Sequence, residues 1–254
     1  MDRATCRNVT IGCAKGITRP RILAWITDTV TSRHRGKRRA EWLGAIAIAC
    51  VTYYALALVA LHVLRPEYDP MSRVTSNYAV GPYGYLMTAT FFAIAAALLA
   101  LSFGLSRTLA STARSRVGLA LLSAAGVGAV IAGIFPTDVT PDDSPVTIIG
   151  GVHILAGVAA FVCVTAGTLL VSRRLDKDPK WRAVRRPAFF LALVIVAGFL
   201  LSVIAQSLGG RGIGQRIFLG TVLLWLLFMA IRLRACARTG PSLSPPRYSG
   251  AKTP

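Results

Sequence analysis

The chain of 254 residues is 54% hydrophobic and only 15% charged. Because soluble domains average about 25% charged residues, this composition argues against a water-soluble globule. The 29 Lys and Arg outnumber the 10 Asp and Glu, which gives a net charge of +19. The location of this charge distinguishes a nucleic-acid-binding protein from a membrane protein whose positive charge lies on one side of the bilayer.

Six apolar runs follow one another along the chain, each close to the roughly 20 residues that a helix needs to cross a bilayer. In order they are Leu43–Leu64, Tyr83–Leu105, Val117–Phe135, Ile148–Val171, Pro187–Leu208 and Ile213–Ile231. Arg216, near the start of the sixth run, can extend its charged end toward the headgroups. Small residues recur within the runs at a spacing that lets helices approach closely in lipid. The sequence therefore predicts an all-α fold, a compact transmembrane bundle of six helices.

The residues outside the runs divide the chain into three parts. Residues 1–41 are basic and lack the apolar segment of a secretory signal, so we expect a largely flexible cytoplasmic tail. Residues 42–235 form the predicted membrane domain. Residues 236–254 contain four prolines and are predicted to be disordered.

The positive charge is concentrated in alternate segments. Both termini and the second and fourth loops hold 25 of the 29 Lys and Arg, and the first, third and fifth loops hold four. The positive-inside rule therefore predicts that both termini are cytoplasmic. We expect anionic lipid headgroups to be partners of this basic face. We expect no nucleic-acid partner, because no recognised fold or interleaved aromatic pattern accompanies the basic runs. The oligomeric state is left open.

The cysteines and histidines are too few and too scattered for a metal or disulfide framework. The five cysteines form no CxxC pair, and the chain contains three histidines. Cys50 and Cys163 fall inside predicted helices, and the others fall on the predicted reducing side. We therefore expect no metal site and no cofactor.

Unusual polar residues gather at the predicted outer face. Asp69, Asp138 and His153 supply two carboxylates and an imidazole, which is enough in type for general acid and base chemistry. The alternative is that the two Asp residues fix turns and that His153 is a hydrogen-bonded packing residue. Candidate ligand-binding residues at the same face are Ser76, Tyr78, Gln206, Arg211, Gln215 and Arg216.

Three other interpretations use the same residues. His62 and His153 lie near outer helix ends and could ligate a haem iron from two sides. Ser76 or Ser207 could act as a nucleophile with His153 as base, although neither lies in a Gly-x-Ser-x-Gly context. Arg216 could instead pair with Asp138 or Asp69 and only hold helix ends together.

Several short motifs carry a family resemblance. They are Asp69-Pro70, Ser76-Asn77-Tyr78-Ala79-Val80-Gly81 leading into Gly84, Phe135-Pro136-Thr137-Asp138, His153, and Gly214-Gln215-Arg216. In this order and spacing, residues 42–235 resemble an uncharacterised family of bacterial six-helix membrane proteins, domain of unknown function 998. The residue before the last Arg is often Glu in that family, so Gln215 is a departure. The resemblance implies six helices and an outward-facing polar cluster in a bacterial plasma membrane, and it implies no established activity.

Two functional hypotheses follow from these observations. The first is that the protein binds a lipid or other amphiphile in a polar pocket at the outer leaflet. The second is an intramembrane hydrolase or transferase that acts on lipid through Asp69, Asp138 and His153.

Overall fold

The computed structural model describes residues 19–140 and 143–238, with side chains from residue 35 onward. The helices are α1 (Arg19–Leu64), α2 (Gly84–Thr108), α3 (Arg116–Ile134), α4 (Ile148–Arg174), α5 (Arg185–Ser207) and α6 (Arg211–Arg238). Short 3₁₀ helices occupy Thr75–Ala79, Leu175–Lys177 and Arg182–Val184. The predicted disorder after residue 238 and the first 18 residues of the predicted flexible tail lie outside the described residues.

Six helices are long and apolar enough to cross a membrane, which confirms the predicted all-α, six-span architecture. The helix bounds extend beyond several of the apolar runs. Helix α1 begins at Arg19 rather than near Leu43, and α6 ends at Arg238 rather than Ile231. The difference has a simple cause, because apolar residues mark only the length in contact with lipid while backbone hydrogen bonding continues into polar sequence.

Small residues allow the helices to pack closely. A Cβ atom at Gly44 of α1 would lie 2.9 Å from the carbonyl oxygen of Ala230 on α6, so these two backbones nearly touch. Gly104 gives α2 a similar contact with Leu233 of α6. Such contacts suit helices in lipid, where dispersion and close approach replace the hydrophobic effect as the force of association.

The inside and the outside of the bundle are both apolar. Trp181 and Trp225 are fully buried, and the indole nitrogen of Trp225 donates a hydrogen bond to the Ser172 hydroxyl at 3.0 Å. Large apolar side chains are also exposed on every helix, among them Val63, Leu155 and Phe190. An apolar surface of this extent is unfavourable in water and is typical of helices that contact lipid.

The connections between helices lie at two ends of the bundle. We call residues 65–83, 135–147 and 208–210 loops 1, 3 and 5, and the end where they meet the odd-loop end. Loops 2 (109–115) and 4 (175–184) meet at the even-loop end, where the buried carboxylate of Asp178 accepts the backbone N–H of Ala110 at 2.8 Å. At the same end Arg238 of α6 bonds Glu41 of α1 at 2.7 Å.

Candidate functional site

A cavity of about 350 Å³ begins beneath loops 1 and 3 and extends into the bundle. Apolar side chains form its deeper wall, including Phe91, Leu98, Ala129, Phe161, Phe218 and Val222. The polar lining comes mainly from the loops and the adjoining helix turns, and consists of Tyr54, Thr75, Ser76, Thr137, Asp143, His153, Ser202, Gln206, Arg211 and Gln215. The cavity therefore changes from polar to apolar along its length.

Asp143 of loop 3 is the charged centre of the polar lining. Its side chain is 8% exposed, and its Oδ1 accepts a hydrogen bond from Asn77 at 2.7 Å. Arg73 approaches Oδ1 at 3.4 Å, and the Nε of Arg211 lies 3.6 Å from Oδ2. A backbone φ of 55° places Asp143 in the left-handed region, which Asp tolerates better than most residues. One buried carboxylate thus connects loop 1, loop 3 and α6.

The hydrogen bonding at this carboxylate is incomplete. Asp143 Oδ2 and Arg211 Nε are both buried and have no hydrogen-bond partner among the described residues, because the distance between them exceeds hydrogen-bonding distance. Both residues line the cavity. Buried polar atoms in this condition are uncommon in folded proteins and mark places where a further partner fits.

His153 lines the cavity, and one of its ring nitrogens contacts the end of α3. Its Nδ1 lies 2.9 Å from the carbonyl oxygen of Ala132 and 2.8 Å from that of Phe135. Because a carbonyl only accepts, Nδ1 carries the hydrogen. Nε2 is then a hydrogen-bond acceptor, and it has no protein partner among the described residues. The end of α3 therefore sets the tautomer and orientation of this imidazole.

Gln215 of α6 closes the cavity against loop 1. Its side-chain oxygen accepts the backbone N–H of Thr75 at 2.7 Å and the Thr75 hydroxyl at 3.0 Å. Thr75 begins the 3₁₀ helix of loop 1, whose first four residues are buried. The family resemblance suggests Glu at position 215. The Gln215 amide still supplies the acceptor that Thr75 needs, and it does so without a charge.

Arg216 holds loop 1 to the bundle and does not line the cavity. Its guanidinium donates to backbone carbonyls, an imidazole and a phenol, namely Pro70 at 3.0 Å, Arg73 at 2.6 Å, Gly212 at 3.0 Å, His62 at 2.9 Å and Tyr78 at 3.5 Å. These partners replace the Asp138 or Asp69 pairing considered from the sequence. We call Arg216 and these partners the clamp. Tyr78 is fully buried and makes a tilted ring contact with His62 and an edge-to-face contact with Tyr68, so it lies in the core of the clamp.

Asp69 and Asp138 each bind backbone N–H groups of their own loops. Asp69 accepts the Ser72 hydroxyl at 2.7 Å and the Met71 N–H at 3.1 Å, and these bonds lower the pKa of the Asp69 carboxyl. Asp138 accepts the N–H groups of Val146 and Thr147 at 2.8 Å, and the bond from Thr147 contributes most to its lowered pKa. Both carboxylates therefore stabilise turns in the way that short polar side chains commonly do.

Five of the nine candidate residues line the cavity, namely Ser76, His153, Gln206, Arg211 and Gln215. Asp69, Asp138, Tyr78 and Arg216 lie outside its lining. The cavity thus brings together most of the predicted ligand-binding residues and separates His153 from the two predicted catalytic carboxylates. The catalytic role of Asp69, Asp138 and His153 stays a prediction.

The geometry also bears on the haem and serine interpretations. His62 uses Nδ1 toward the Leu58 carbonyl at 2.6 Å and Nε2 toward Arg216, so neither nitrogen is available to iron without breaking a bond. Ser207 donates to the Ile204 carbonyl within α5. Within residues 35–140 and 143–238, no group of three or more His, Cys, Asp or Glu is arranged to hold a metal ion.

Sequence reasoning missed Asp143, which proves to be the most connected carboxylate of the cavity. It lies in an acidic loop that contains prolines, and no feature of the local sequence distinguishes Asp143 from the adjacent Asp142. The available signal was the charge balance, because the four cations at the odd-loop end need partners and loops 1 and 3 hold five acids. That signal does not identify which acid pairs with Arg73 and Arg211.

Six apolar spans with a polar-to-apolar internal cavity define a multi-pass membrane protein. A family model described as "Protein of unknown function (DUF998)" matches residues 47–232, which is most of the chain. The chain belongs to this family, which confirms the resemblance seen in its loop motifs. No curated protein and no solved structure matches the chain.

Proposed function

We propose that this protein binds a lipid or another amphiphile in its cavity, with the polar headgroup toward loops 1 and 3 and the apolar part between the helices. The observation that carries the proposal is the change in lining along one cavity, from Asp143 and Arg211 at one end to Phe161 and Phe218 deeper in the bundle. Ligand sites are commonly apolar cavities with a few placed polar groups.

Access from the bilayer supports an amphiphilic ligand. Val158 of α4 and Val203 of α5 both line the cavity, and they are 54% and 53% exposed. Their neighbours Leu155 and Ile204 are also exposed, on the apolar surface that lipid covers. A ligand that passes between α4 and α5 keeps its chain in an apolar environment throughout.

The energetics assign selectivity to the polar end. A chain that moves from the bilayer into an apolar cavity exchanges one apolar environment for another, so it gains little hydrophobic free energy. Hydrogen bonds and charges at the headgroup act in a medium of low dielectric, where each counts for more than in water. Asp143, Arg211 and His153 are therefore the residues that would select the ligand.

Filling the cavity tests the proposal. Gly157 lines the cavity, and a Cβ there would meet nothing within 4 Å, so Gly157→Leu places a side chain in open space. Gly220 of α6 has equally open surroundings and does not line the cavity, which makes Gly220→Leu a matched control. We expect lipid that co-purifies with the protein to fall at least about fivefold in Gly157→Leu and to be retained in Gly220→Leu, by quantitative mass spectrometry. Equal lipid content in both variants would contradict the proposal.

The orientation in the membrane is part of the same proposal. We infer that both termini are cytoplasmic, that the cavity lies in the outer leaflet of a bacterial plasma membrane, and that anionic headgroups bind the basic face. The charge asymmetry supports this orientation. A Cys introduced at Met71 of loop 1, in a variant that lacks the native cysteines, is expected to react with a membrane-impermeant maleimide in intact cells. A Cys introduced at Thr112 of loop 2 is expected to react only after lysis, and the reverse pattern would show the opposite orientation.

A further inference from the structure

At the polar end of the cavity, two acceptors and one donor have no partner in the part of the chain that the structure describes. The acceptors are the buried Asp143 Oδ2 and the Nε2 of a neutral His153 ring, whose Nδ1 donates to backbone carbonyls. The donor is Arg211 Nε. Because a buried acceptor without a donor is unfavourable, a ligand that completes this site must bring at least one O–H or N–H hydrogen.

The charges at the cavity surface balance each other. Asp143 and Arg211 both line the cavity and carry opposite charges. Arg73 adds a second cation behind Asp143, but it does not line the cavity, and its guanidinium donates to the Thr140 carbonyl as well as to the carboxylate. The cavity lining itself therefore presents one anion and one cation, and Arg73 lies behind the carboxylate.

This balance disfavours both kinds of charged headgroup. An ammonium would be a third cation around a carboxylate that already has Arg73 and Arg211 beside it, so it would be repelled. A phosphodiester or carboxylate brings no donor, so it would leave Asp143 Oδ2 and His153 Nε2 unpartnered. It would also place a second anion beside a carboxylate that is almost completely buried.

A neutral group that both donates and accepts can bond Asp143 Oδ2 and Arg211 Nε at the same time. Asp143 Oδ2 and Arg211 Nε are 3.6 Å apart, so one hydroxyl oxygen can lie within hydrogen-bonding distance of both, donating to the carboxylate and accepting from the guanidinium. The N–H and C=O of a primary amide can divide the same two bonds between them. Either group leaves the ion pair intact.

We infer that the cavity selects amphiphiles with an uncharged headgroup that both donates and accepts hydrogen bonds at the Asp143–Arg211 pair, with His153 Nε2 as a further acceptor. This inference rests on the proposed amphiphile binding and narrows it to a chemical class. Long-chain alcohols, acylglycerols and fatty amides belong to that class, whereas phospholipids, whose headgroups carry charged phosphate, do not.

Competition among matched ligands tests the inference. The full-length protein is placed in phosphatidylcholine nanodiscs and photolabelled with a 1-acylglycerol that carries a diazirine in its chain, and adducts are counted by intact mass. Unlabelled 1-oleoylglycerol or oleamide is expected to compete at mole fractions about tenfold lower than 1-oleoylglycerol 3-phosphate, oleylamine or methyl oleate. Whichever of the first two competes better identifies the hydroxyl or the amide as the preferred group. Equal or better competition by a charged or donor-free compound would overturn the inference.

Two variants test whether the ion pair is the selecting element. Asp143→Asn removes the anion, so 1-oleoylglycerol 3-phosphate is expected to become at least about tenfold more effective as a competitor relative to 1-oleoylglycerol. Arg211→Gln removes the cation, so the relative competition by oleylamine is expected to rise in the same way. Opposite changes in two variants cannot come from a shared folding defect, and either variant suffices where the other fails to fold. An unchanged order of competitors in the folded variants would overturn the inference.

The control separates this inference from the proposed function. If photolabelling is equally strong in Gly157→Leu and Gly220→Leu, the label binds outside the cavity. That result would contradict amphiphile binding in the cavity. If Gly157→Leu abolishes photolabelling but a charged lipid competes best, the cavity is still the binding site. Only the inference of a neutral headgroup would then be rejected.

Discussion

Replacing Arg216 with Ala is expected to destabilise the bundle by about 3 kcal/mol or more, the largest effect of any single polar substitution at the odd-loop end. The guanidinium reaches carbonyl oxygens of Pro70, Arg73 and Gly212 as well as the Nε2 of His62. Truncation removes the charged donor from these acceptors, which are partly buried apart from the exposed Pro70 carbonyl, and hydrogen bonds from charged groups contribute about 1.5–3 kcal/mol each.

The measurement is unfolding of the detergent-solubilised protein, followed by heat or by titration with a denaturing detergent. Arg238→Ala is the matched control, because Arg238 lies on the same helix but forms a solvent-exposed ion pair with Glu41. Such exposed pairs contribute about 1 kcal/mol or less. Arg216→Lys is expected to fall between wild type and Arg216→Ala, since an ammonium cannot direct donors to four separated acceptors as a guanidinium does. Equal stability of Arg216→Ala and Arg238→Ala would contradict the clamp.

The clamp illustrates what the sequence can and cannot reveal. The length and apolarity of six runs predicted six helices, because a bilayer imposes the same requirement on any segment that crosses it. The sequence also identified Arg216 as an unusual charge near a helix start. It could not identify the partners, because most of them are backbone carbonyls of loop 1 and α6, and the sequence does not show which carbonyls face a given side chain.

The cavity shows the same limit in another form. Ser76, Gln206, Arg211 and Gln215 were selected as polar residues near one face, and the structure places all four in the cavity lining. Asp69 and Asp138 were equally conspicuous, yet both bind the N–H groups of their own loops. Residue type does not distinguish a carboxylate that stabilises a turn from one that faces a cavity. That distinction depends on how loops 1 and 3 pack together, which only the tertiary structure determines.

Gly212→Ala is expected to lower the stability of the bundle substantially, because loop 1 lies directly against the start of α6. A Cβ at Gly212 would be 2.5 Å from the carbonyl oxygen of Arg73 and 2.6 Å from that of Pro70. Both obstacles are backbone atoms, so loop 1 or α6 must move as a whole. Overpacking of this kind costs about 1–3 kcal/mol. The displacement would also break the hydrogen bond from the Ile213 N–H to the Met71 carbonyl, now 3.1 Å long.

Gly210→Ala is the matched control for Gly212→Ala. The same Cβ at Gly210 would meet its nearest atom at 3.5 Å, an ordinary contact, so little change in unfolding is expected. Gly212→Ala is further expected to weaken ligand photolabelling, because the adjacent Arg211 moves with the start of α6 and away from Asp143. A Gly210→Ala protein as unstable as Gly212→Ala would indicate general sensitivity of loop 5 rather than close contact with loop 1.

Combining Gly212→Ala with Arg216→Ala separates the contact from the clamp. The carbonyl oxygens of Pro70 and Arg73 that block a Cβ at Gly212 are also acceptors for Arg216. If one junction holds loop 1, the first substitution already displaces the acceptors that the second would orphan. The loss of unfolding free energy in the double variant is then expected to be smaller than the sum of the two single losses, by about 1 kcal/mol or more. Full additivity would mean that the two residues hold loop 1 independently, and that displacing it at Gly212 leaves the Arg216 bonds in place.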